Sequence, residues 1–267
     1  MKLIKVFIVI GNKMSKIKHW YGRLGNNIQQ LSNAIYYCKK NKINFSFNHH
    51  PYIKNFQLNF GINSDFSSRF FYYEKNRDFI NNEKELNENR RQICLEHISK
   101  NLIVRRPPFD INTLVIHIRG GDIFSTNPPS TYIQNPLSFY VNIINNFNKI
   151  IVVSEDFKNP VLEKLSNLRN VEIQSTTVEN DFATLVAAKN LVTSGVGTFS
   201  IAAALCSNNI ENLFCSNLFL KEHLNPTMLL NKDINVNITN IDYNKYILKN
   251  NWRNTCEQRK LMINYKI

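Results

Sequence analysis

Apolar positions in residues 107–235 fall into short runs separated by stretches of helical period. The runs have the length and continuous apolar character of strands buried on both faces. They lie at residues 114–118, 150–153, 171–173, 191–193 and 212–215. The intervening stretches predict helices at residues 137–147, 160–168, 181–189 and 198–206, with Pro160 in a first turn and Asp181 as an N-cap. This alternation predicts an α/β fold with a parallel sheet and right-handed crossovers.

The first hundred residues carry a weaker pattern. Residues 5–10 (KVFIVI) predict a strand, residues 13–18 a basic loop, and residues 43–47 a second strand. A helix is predicted behind the glycines of residues 22–25, since Ile28, Leu31, Ile35 and Cys38 recur at helical spacing. Residues 49–91 have no clean period, so irregular structure and helices are expected there.

The Arg105-Arg-Pro-Pro sequence is the candidate domain boundary. It divides the chain into residues 1–106, residues 107–235 and a helical tail, residues 236–267, with one helix predicted at residues 245–259. Ligands of parallel sheets bind at the carboxyl ends of the strands. The turns that follow the predicted strands are therefore the candidate functional segments.

Composition narrows the class of partner. With 33 Lys and Arg against 20 Asp and Glu, the formal net charge is +13, which favours anionic partners. The five cysteines form no CxxC pair and no Cys/His cluster, which argues against a disulfide framework or a zinc site and favours a cytoplasmic, reducing compartment. The apolar start is too short to span a bilayer and lacks a small-residue cleavage site, so we interpret it as a buried strand.

The first candidate segment comprises Gly22, Arg23, Gly25 and Asn26, where a helix begins. Glycines let the backbone approach a ligand closely, and a helix N-terminus attracts anionic groups. Asn26 can hydrogen-bond a sugar or a leaving oxygen. The alternative interpretation is a tight turn with a helix cap, which the spacing alone favours.

The second candidate segment, HIRGGD, follows the strand at residues 114–118. Alternation places His117 and Arg119 on one side of the strand, at its carboxyl end. Arg119 can grip a phosphate bidentately, Gly120 and Gly121 expose backbone N–H groups, and Asp122 can orient Arg119. The alternative is a buried Arg–Asp pair beside a core histidine, although an arginine at a strand end is costly to bury without an anion.

Two further candidate segments follow strands. Ser154, Glu155 and Asp156 can receive a base N–H or a ribose hydroxyl, or can simply cap the next helix. The later turn offers N–H groups and hydroxyls as a phosphate cradle, or is an ordinary turn without the Gly-Lys-Ser/Thr of a P-loop. Its candidate binding residues are Ser194, Gly195, Gly197, Thr198, Phe199 and Ser200.

Together these segments resemble the fucosyltransferase superfamily, which includes the α-1,2-fucosyltransferases of family 11 and, more distantly, the protein O-fucosyltransferases and α-1,6-fucosyltransferases. GRLGNNIQQLSNAIYYCKKN resembles the family's N-terminal G-x-[LF]-G-N-Q helix, and HIRGGD resembles its H-x-R-R-G-D motif. IIVVSED resembles the strand that ends in Ser-x-Asp, and DFATLVAAKNLVTSGVGTFSIAAAL resembles the closing stretch. The family's second arginine is Gly120 in this sequence.

The resemblance implies a GT-B architecture with two Rossmann-like halves, of which the first is small and irregular and binds the acceptor. It implies inverting transfer of fucose from GDP-fucose to a glycan hydroxyl, with no cofactor and no metal, and the chain has no DxD triplet. Arg119 matches the arginine that holds the β-phosphate, and Asn26 the asparagine near the reacting centre. Thr198, Phe199 and Ser200 match the phosphate and guanine contacts.

The general base stays open among Asp122, His117, Glu155, His49 and His50. The basic composition suits an acidic or lipid-linked glycan acceptor and peripheral contact with the inner face of a membrane. Two alternative functions are a glycosyltransferase that uses a UDP-, dTDP- or CMP-linked sugar and a non-enzymatic polyanion-binding protein. No interleaved aromatic and basic motif such as an RNP sequence occurs, so no specific nucleic acid is expected as a partner.

Overall fold

The computed structural model describes residues 14–64, 70, 82–247 and 251–267. Its N-terminal part contains a small parallel β–α–β unit. The unit consists of β1 (Ser15–Ile17), α1 (Leu24–Lys40) and β2 (Phe45–Phe47), and α2 (Glu83–Ile93) packs against α1. Lys39 and Lys40 lie in the last turn of α1, where their positive charges complement the helix dipole.

In the part of the chain that the structure describes, the main sheet has six strands, and every neighbouring pair is parallel. The strands are β3 (Thr113–Ile118), β4 (Lys149–Ser154), β5 (Val171–Gln174), β6 (Asn190–Val192), β7 (Asn212–Ser216) and β8 (Asn235–Thr239). The crossover helices are α3 (Leu137–Ile144), α4 (Pro160–Ser166), α5 (Val178–Val186) and α6 (Phe199–Cys206). The predicted α/β fold with a parallel sheet is thus confirmed.

The strand order, β5-β4-β3-β6-β7-β8, reverses between β3 and β6. From β3 the chain moves outward to β4 and β5, returns to the other side of β3 as β6, and continues outward again. At such a switch point the carboxyl ends of the two central strands open a crevice, where ligands of doubly wound sheets bind. The turns after β3 and β6 border this crevice.

One apolar core joins the small N-terminal unit to the main sheet. Leu31 and Ile35 of α1 belong to the same buried cluster as Val115 of β3 and Ala203 of α6. Direct packing of α1 on α6 accounts for this continuity. Because the two helices pack together, the start of α1 is held close to the start of α6.

The C-terminal segment packs against the loop that follows β3 and is hydrogen-bonded to it. Beyond α7 (Tyr243–Tyr246), the indole Nε1 of Trp252 donates to Ile123 O at 2.7 Å, and its backbone N donates to Ser130 O at 2.8 Å. Asn254 Nδ2 donates to Ser125 O at 3.0 Å before α8 (Cys256–Asn264) begins. The tail therefore donates hydrogen bonds to carbonyl groups at both ends of the loop over residues 123–130.

Two sequence predictions of local structure were wrong: the basic loop at residues 13–18 and the N-cap role of Asp181. Residues 15–17 of the predicted basic loop form β1, because Ser15 and Ile17 are buried on either side of a half-buried Lys16. The helix predicted from Asp181 to residue 189 is α5, which begins at Val178 and ends at Val186, so Asp181 lies in its first turn instead of capping it. The Asp181 carboxylate accepts from the N–H and the hydroxyl of Thr176 and thereby fixes the preceding turn.

Two predictions for the end of the chain also differ from the structure. The strand predicted as the last one, β7, is followed by β8, an edge strand whose mixed NVNIT sequence gives no apolar run. The single helix predicted at residues 245–259 is replaced by α7 and α8, with residues 251–255 outside any helix. The predicted strand at residues 5–10 lies outside the described residues.

All five cysteines are free thiols, and four of them are buried. Within the residues that the structure describes, every helix is too short or too polar to traverse a lipid bilayer.

Candidate functional site

A cavity of about 700 Å³ opens at the carboxyl edge of the main sheet, at the switch point between β3 and β6. Its volume lies within the usual range of small-molecule sites. Much of its lining, among the described residues, comes from four turns. Each turn is named here after the helix or strand next to it. They are the α1 turn (residues 20–26), the β3 turn (residues 119–122), the β4 turn (residues 154–156) and the β6 turn (residues 194–200).

The α1 turn and the β6 turn are in direct contact. Thr198 Oγ1 donates to Asn26 Oδ1 at 2.7 Å. A Cβ atom on Gly25 would lie 2.6 Å from Thr198 Oγ1 and 2.9 Å from Phe199 N, so only glycine permits this approach. Neither α1 nor α6 has a side-chain cap or an acidic residue in its first turn. Two helix N-termini with partial positive charge therefore border the same cavity.

The substitution Gly25→Ala is expected to lower the free energy of unfolding by about 1–3 kcal/mol, because the added methyl group meets backbone atoms of the β6 turn. Urea denaturation measures this loss. Gly197→Ala is the matched control, since a Cβ atom there meets only Ser194 Oγ, at 3.3 Å. Equal losses from the two substitutions would contradict a backbone contact specific to Gly25.

Two arginines share two carboxylates at the cavity. Arg119 Nη2 donates to Asp122 Oδ1 at 2.5 Å, and Arg23 Nη2 lies 3.8 Å from the same oxygen. Arg23 Nη1 also donates to Glu155 Oε2, and Glu155 Oε1 lies 3.9 Å from Arg119 Nε. The Arg119 side chain is only 15% exposed, and its Nε is buried without a hydrogen-bond partner. Both guanidinium groups thus lie around one carboxylate oxygen.

The β3 turn packs tightly against the β4 turn. Gly121 has a φ of +69°, and its N–H donates to Asp156 Oδ2 at 3.1 Å. A Cβ atom on Gly120 would lie 2.3 Å from Asp156 Oδ1. Position 120 therefore has no room for an arginine side chain while Asp156 holds the turn. The second guanidinium at the cavity comes instead from Arg23, at the start of α1.

His117 lies at the floor of the cavity and is buried. Its Nδ1 has no hydrogen-bond partner, and its ring is tilted against that of Phe199, with centroids 5.3 Å apart. Phe199 in turn packs against Phe182 of α5, at 5.2 Å. Burial, and to a smaller degree the positive charge of Arg119, lower the pKa of His117 to about 3. The imidazole is therefore neutral near pH 7 and a weak base.

Another wall of the cavity comes from the N-terminal unit. His50 is buried: its Nδ1 accepts from Tyr52 N at 3.1 Å, and its Nε2 lies 3.2 Å from Asn27 Oδ1. This arrangement places the proton of the neutral ring on Nε2. Burial, and next the charge of His49, lower the pKa of His50 to about 4. Because both nitrogens are engaged, His50 supports the wall and does not present a free base to the cavity.

Most of the candidate residues from the sequence line the cavity. They are Gly22, Arg23, Gly25, Asn26, His117, Arg119, Asp122, Ser154, Glu155, Gly197, Thr198 and Phe199, together with Gly120 and His50. Five candidates do not line the cavity: Gly121, Asp156, Ser194, Gly195 and Ser200. His49 also does not line it. A Cβ atom on Gly195 would meet Ile133 O at 2.3 Å, Ser194 and Ser200 are buried, and Asp156 holds the β3 turn.

Sequence reasoning missed several residues that line the cavity. They are Trp20, Asn27, Tyr52, Tyr132, Val178 and Asp181. Trp20 stands two positions before Gly22 and Asn27 directly follows Asn26, so proximity to the first candidate segment was a usable signal for both. Asp181 opens the stretch that resembles the family's closing motif, so that motif was a usable signal for it. Tyr52, Tyr132 and Val178 lie on segments that carry no local motif, and they reach the cavity only through the fold.

Within the described part of the chain, no three His, Cys, Asp or Glu side chains gather in a way that could hold a metal ion. No protein-family model, curated protein or solved structure matches the chain.

Proposed function

We propose that the protein is an inverting, metal-independent glycosyltransferase that moves fucose from GDP-fucose to a hydroxyl of a glycan acceptor. The observation that carries the proposal is the meeting of Arg23, Arg119 and two helix N-termini around one cavity at the switch point of a parallel sheet. A diphosphate is the ligand best matched by two guanidinium groups and two sets of helical N–H groups.

The ion pairs of the cavity indicate where a diphosphate would bind, between the guanidinium groups of Arg119 and Arg23. Asp122 Oδ1 lies close to both Arg119 Nη2 and Arg23 Nη2, so one anionic oxygen already occupies the space between the two guanidinium groups. A phosphate oxygen can take that position while Asp122 withdraws toward solvent, where half of its side chain is already exposed. The buried Nε of Arg119, which has no hydrogen-bond partner among the described residues, offers a further donor.

The remaining lining suits a nucleoside. Phe199 and His117 form an aromatic surface on which a base can pack, beside Val178 at the start of α5. Ser154 is the last residue of β4, the strand next to β3, and Glu155 directly follows it. At such a strand end a carboxylate accepts hydrogen bonds from ribose hydroxyls in doubly wound folds. The small unit of β1, α1 and β2 would then form the acceptor half of a GT-B arrangement.

The reaction would be an in-line displacement at the anomeric carbon. The bond from this carbon to the β-phosphate oxygen breaks, and a bond to the acceptor oxygen forms on the opposite face of the sugar. Arg119 and Arg23 stabilise the charge that develops on the leaving diphosphate. Burial lowers the pKa of His117 to about 3, and both nitrogens of His50 are hydrogen-bonded, so neither histidine serves as the base. The acceptor proton passes to Asp122, which lines the cavity, or to solvent late in an oxocarbenium-like transition state.

Thermal-shift titration with GDP, UDP, dTDP and CMP tests the donor. GDP is expected to stabilise the fold most, by about 2.7 kcal/mol at a hundredfold excess over its dissociation constant. Greater stabilisation by UDP, dTDP or CMP would replace fucose by another sugar donor. If no nucleotide stabilises the protein and heparin binds with the same steep salt dependence in wild type and Arg119→Met, the polyanion-binding alternative is favoured instead.

A further inference from the structure

We infer that Trp20 and Tyr52 form a binding surface for the C–H face of a pyranose ring, the acceptor subsite of the proposed transferase. The acceptor role depends on the proposed function, whereas the sugar-binding surface follows from these residues themselves. Both rings are half-buried and line the cavity. Pyranoses carry C–H groups on one face and hydroxyl groups around the rim, so a fixed aromatic ring matches that face.

The Trp20 side chain is held in place although it is half-buried. Its indole Nε1 donates to Asn48 O at 3.2 Å and to His49 O at 3.1 Å. Its ring meets Phe47 and His50 edge-on, with centroids 5.5 Å and 4.6 Å apart. The single polar group of the side chain is thus satisfied and two neighbours fix the ring. What remains for the cavity is an apolar aromatic surface, ordered before any ligand binds.

The backbone on both sides of Trp20 is fixed by buried amides of α1. Gln30 Nε2 donates to His19 O at 3.0 Å, and Gln30 Oε1 accepts from Tyr21 N at 3.3 Å. Asn27 Nδ2 donates to Tyr21 O at 2.9 Å. Apolar packing alone would not require two buried amides to position one half-buried ring. This arrangement points to a ring whose position matters for binding.

Tyr52 extends the same surface. Its ring meets the His50 ring edge-on at 5.7 Å, so Trp20 and Tyr52 both flank one imidazole. The backbone N of Tyr52 donates to His50 Nδ1, which ties the second ring to the first. Asn26, in the same turn as Trp20, offers its amide Nδ2 to the hydroxyls of a sugar. Because Arg23 also lies in that turn, a sugar on Trp20 would lie close to the proposed diphosphate site.

Tryptophan fluorescence of the full chain tests this surface directly. Trp252 is 1% exposed and does not line the cavity, so a bound sugar does not contact it and Trp20 is the reporter. The probes are methyl β-D-glucopyranoside, methyl β-D-galactopyranoside and N-acetylglucosamine, each titrated with and without GDP. At least one probe is expected to give a saturable change in emission. Tyr52→Leu, which keeps the reporter, is expected to weaken that binding roughly tenfold.

Trp20→Phe supplies the control, because only Trp252 then emits. A sugar-dependent change that persists in Trp20→Phe would place the sugar elsewhere and overturn the inference, as would no saturable change with any probe in wild type. A thermal midpoint within the wild-type range verifies that each variant is folded. Sugar binding without stabilisation by any nucleotide would end the transferase proposal and leave the sugar-binding surface standing. Stabilisation by GDP without sugar binding would overturn the sugar-binding surface and leave the transferase proposal standing.

Discussion

Replacing Arg119 by methionine is expected to lower kcat/KM for sugar transfer by roughly two to three orders of magnitude, the usual cost of removing one preorganised donor from a developing negative charge. Arg119 is only 15% exposed, so its charge is less screened by water than that of a surface arginine. Arg119→Lys is expected to restore little of the loss, because an ammonium group cannot reproduce the bidentate fork. Initial rates with GDP-fucose, and donor hydrolysis without acceptor, measure both effects.

Arg169→Met is the matched control for the change in net charge, since Arg169 is exposed in the turn after α4 and does not line the cavity. Thermal midpoints of the two variants show whether either substitution disturbs the fold. If Arg119→Met retains wild-type kcat/KM, its proposed role at the diphosphate is wrong. If Arg169→Met loses as much activity, the effect comes from overall charge and not from the cavity.

The substitution Trp252→Ala is expected to cost about 3–5 kcal/mol in the free energy of unfolding, the range for emptying a buried aromatic position. Trp252 is 1% exposed, packs edge-on against Phe124 at 5.6 Å, and donates to Ile123 O. The substitution therefore leaves a cavity and an unpaired carbonyl in the core. Because residues 123–130 follow the β3 turn, the stabilisation by GDP is expected to fall as well.

Trp252→Phe separates the loss of packing from the loss of the hydrogen bond to Ile123 O. Phenylalanine keeps most of the packing and loses only the indole hydrogen bond, so a cost of about 1 kcal/mol is expected. Urea denaturation of both variants at fixed pH provides the comparison. A Trp252→Ala variant as stable as wild type would show that the tail does not hold the loop after β3.

The main sheet could be predicted from the sequence because its central strands are buried on both faces. Residues 114–118 are apolar except for His117, and residues 150–153 form a continuous apolar run. Both runs have the length of a strand and are too short for a typical helix. The sequence did not predict β1 or β8, for two different reasons. In β1 a lysine lies between two buried residues, and in β8 the edge position needs no apolar run. Both strands are defined by pairing with distant segments, which local sequence does not encode.

The candidate site was predictable where it follows from topology. Arg119 and Thr198 follow strands that flank the switch point, so both border the crevice once the strands pair. Burial of Ser194 and Ser200 was not predictable, because a hydroxyl in a turn gives no sign of which way it points. The meeting of Arg23 with Glu155 depends on how α1 packs on α6, a tertiary contact with no local signature.

The all-parallel sheet has a consequence for the kinetics of folding. Each strand pair forms only after its crossover closes. Among the strands that the structure describes, the β3–β6 pair closes the longest crossover, since Leu114 pairs with Asn190. Pairings this far apart in sequence slow folding. A nucleotide that recognises only the finished junction of β3 and β6 cannot assist the steps before it forms. Such a ligand would therefore prolong the lifetime of the native state by slowing unfolding, and would leave the rate of folding unchanged.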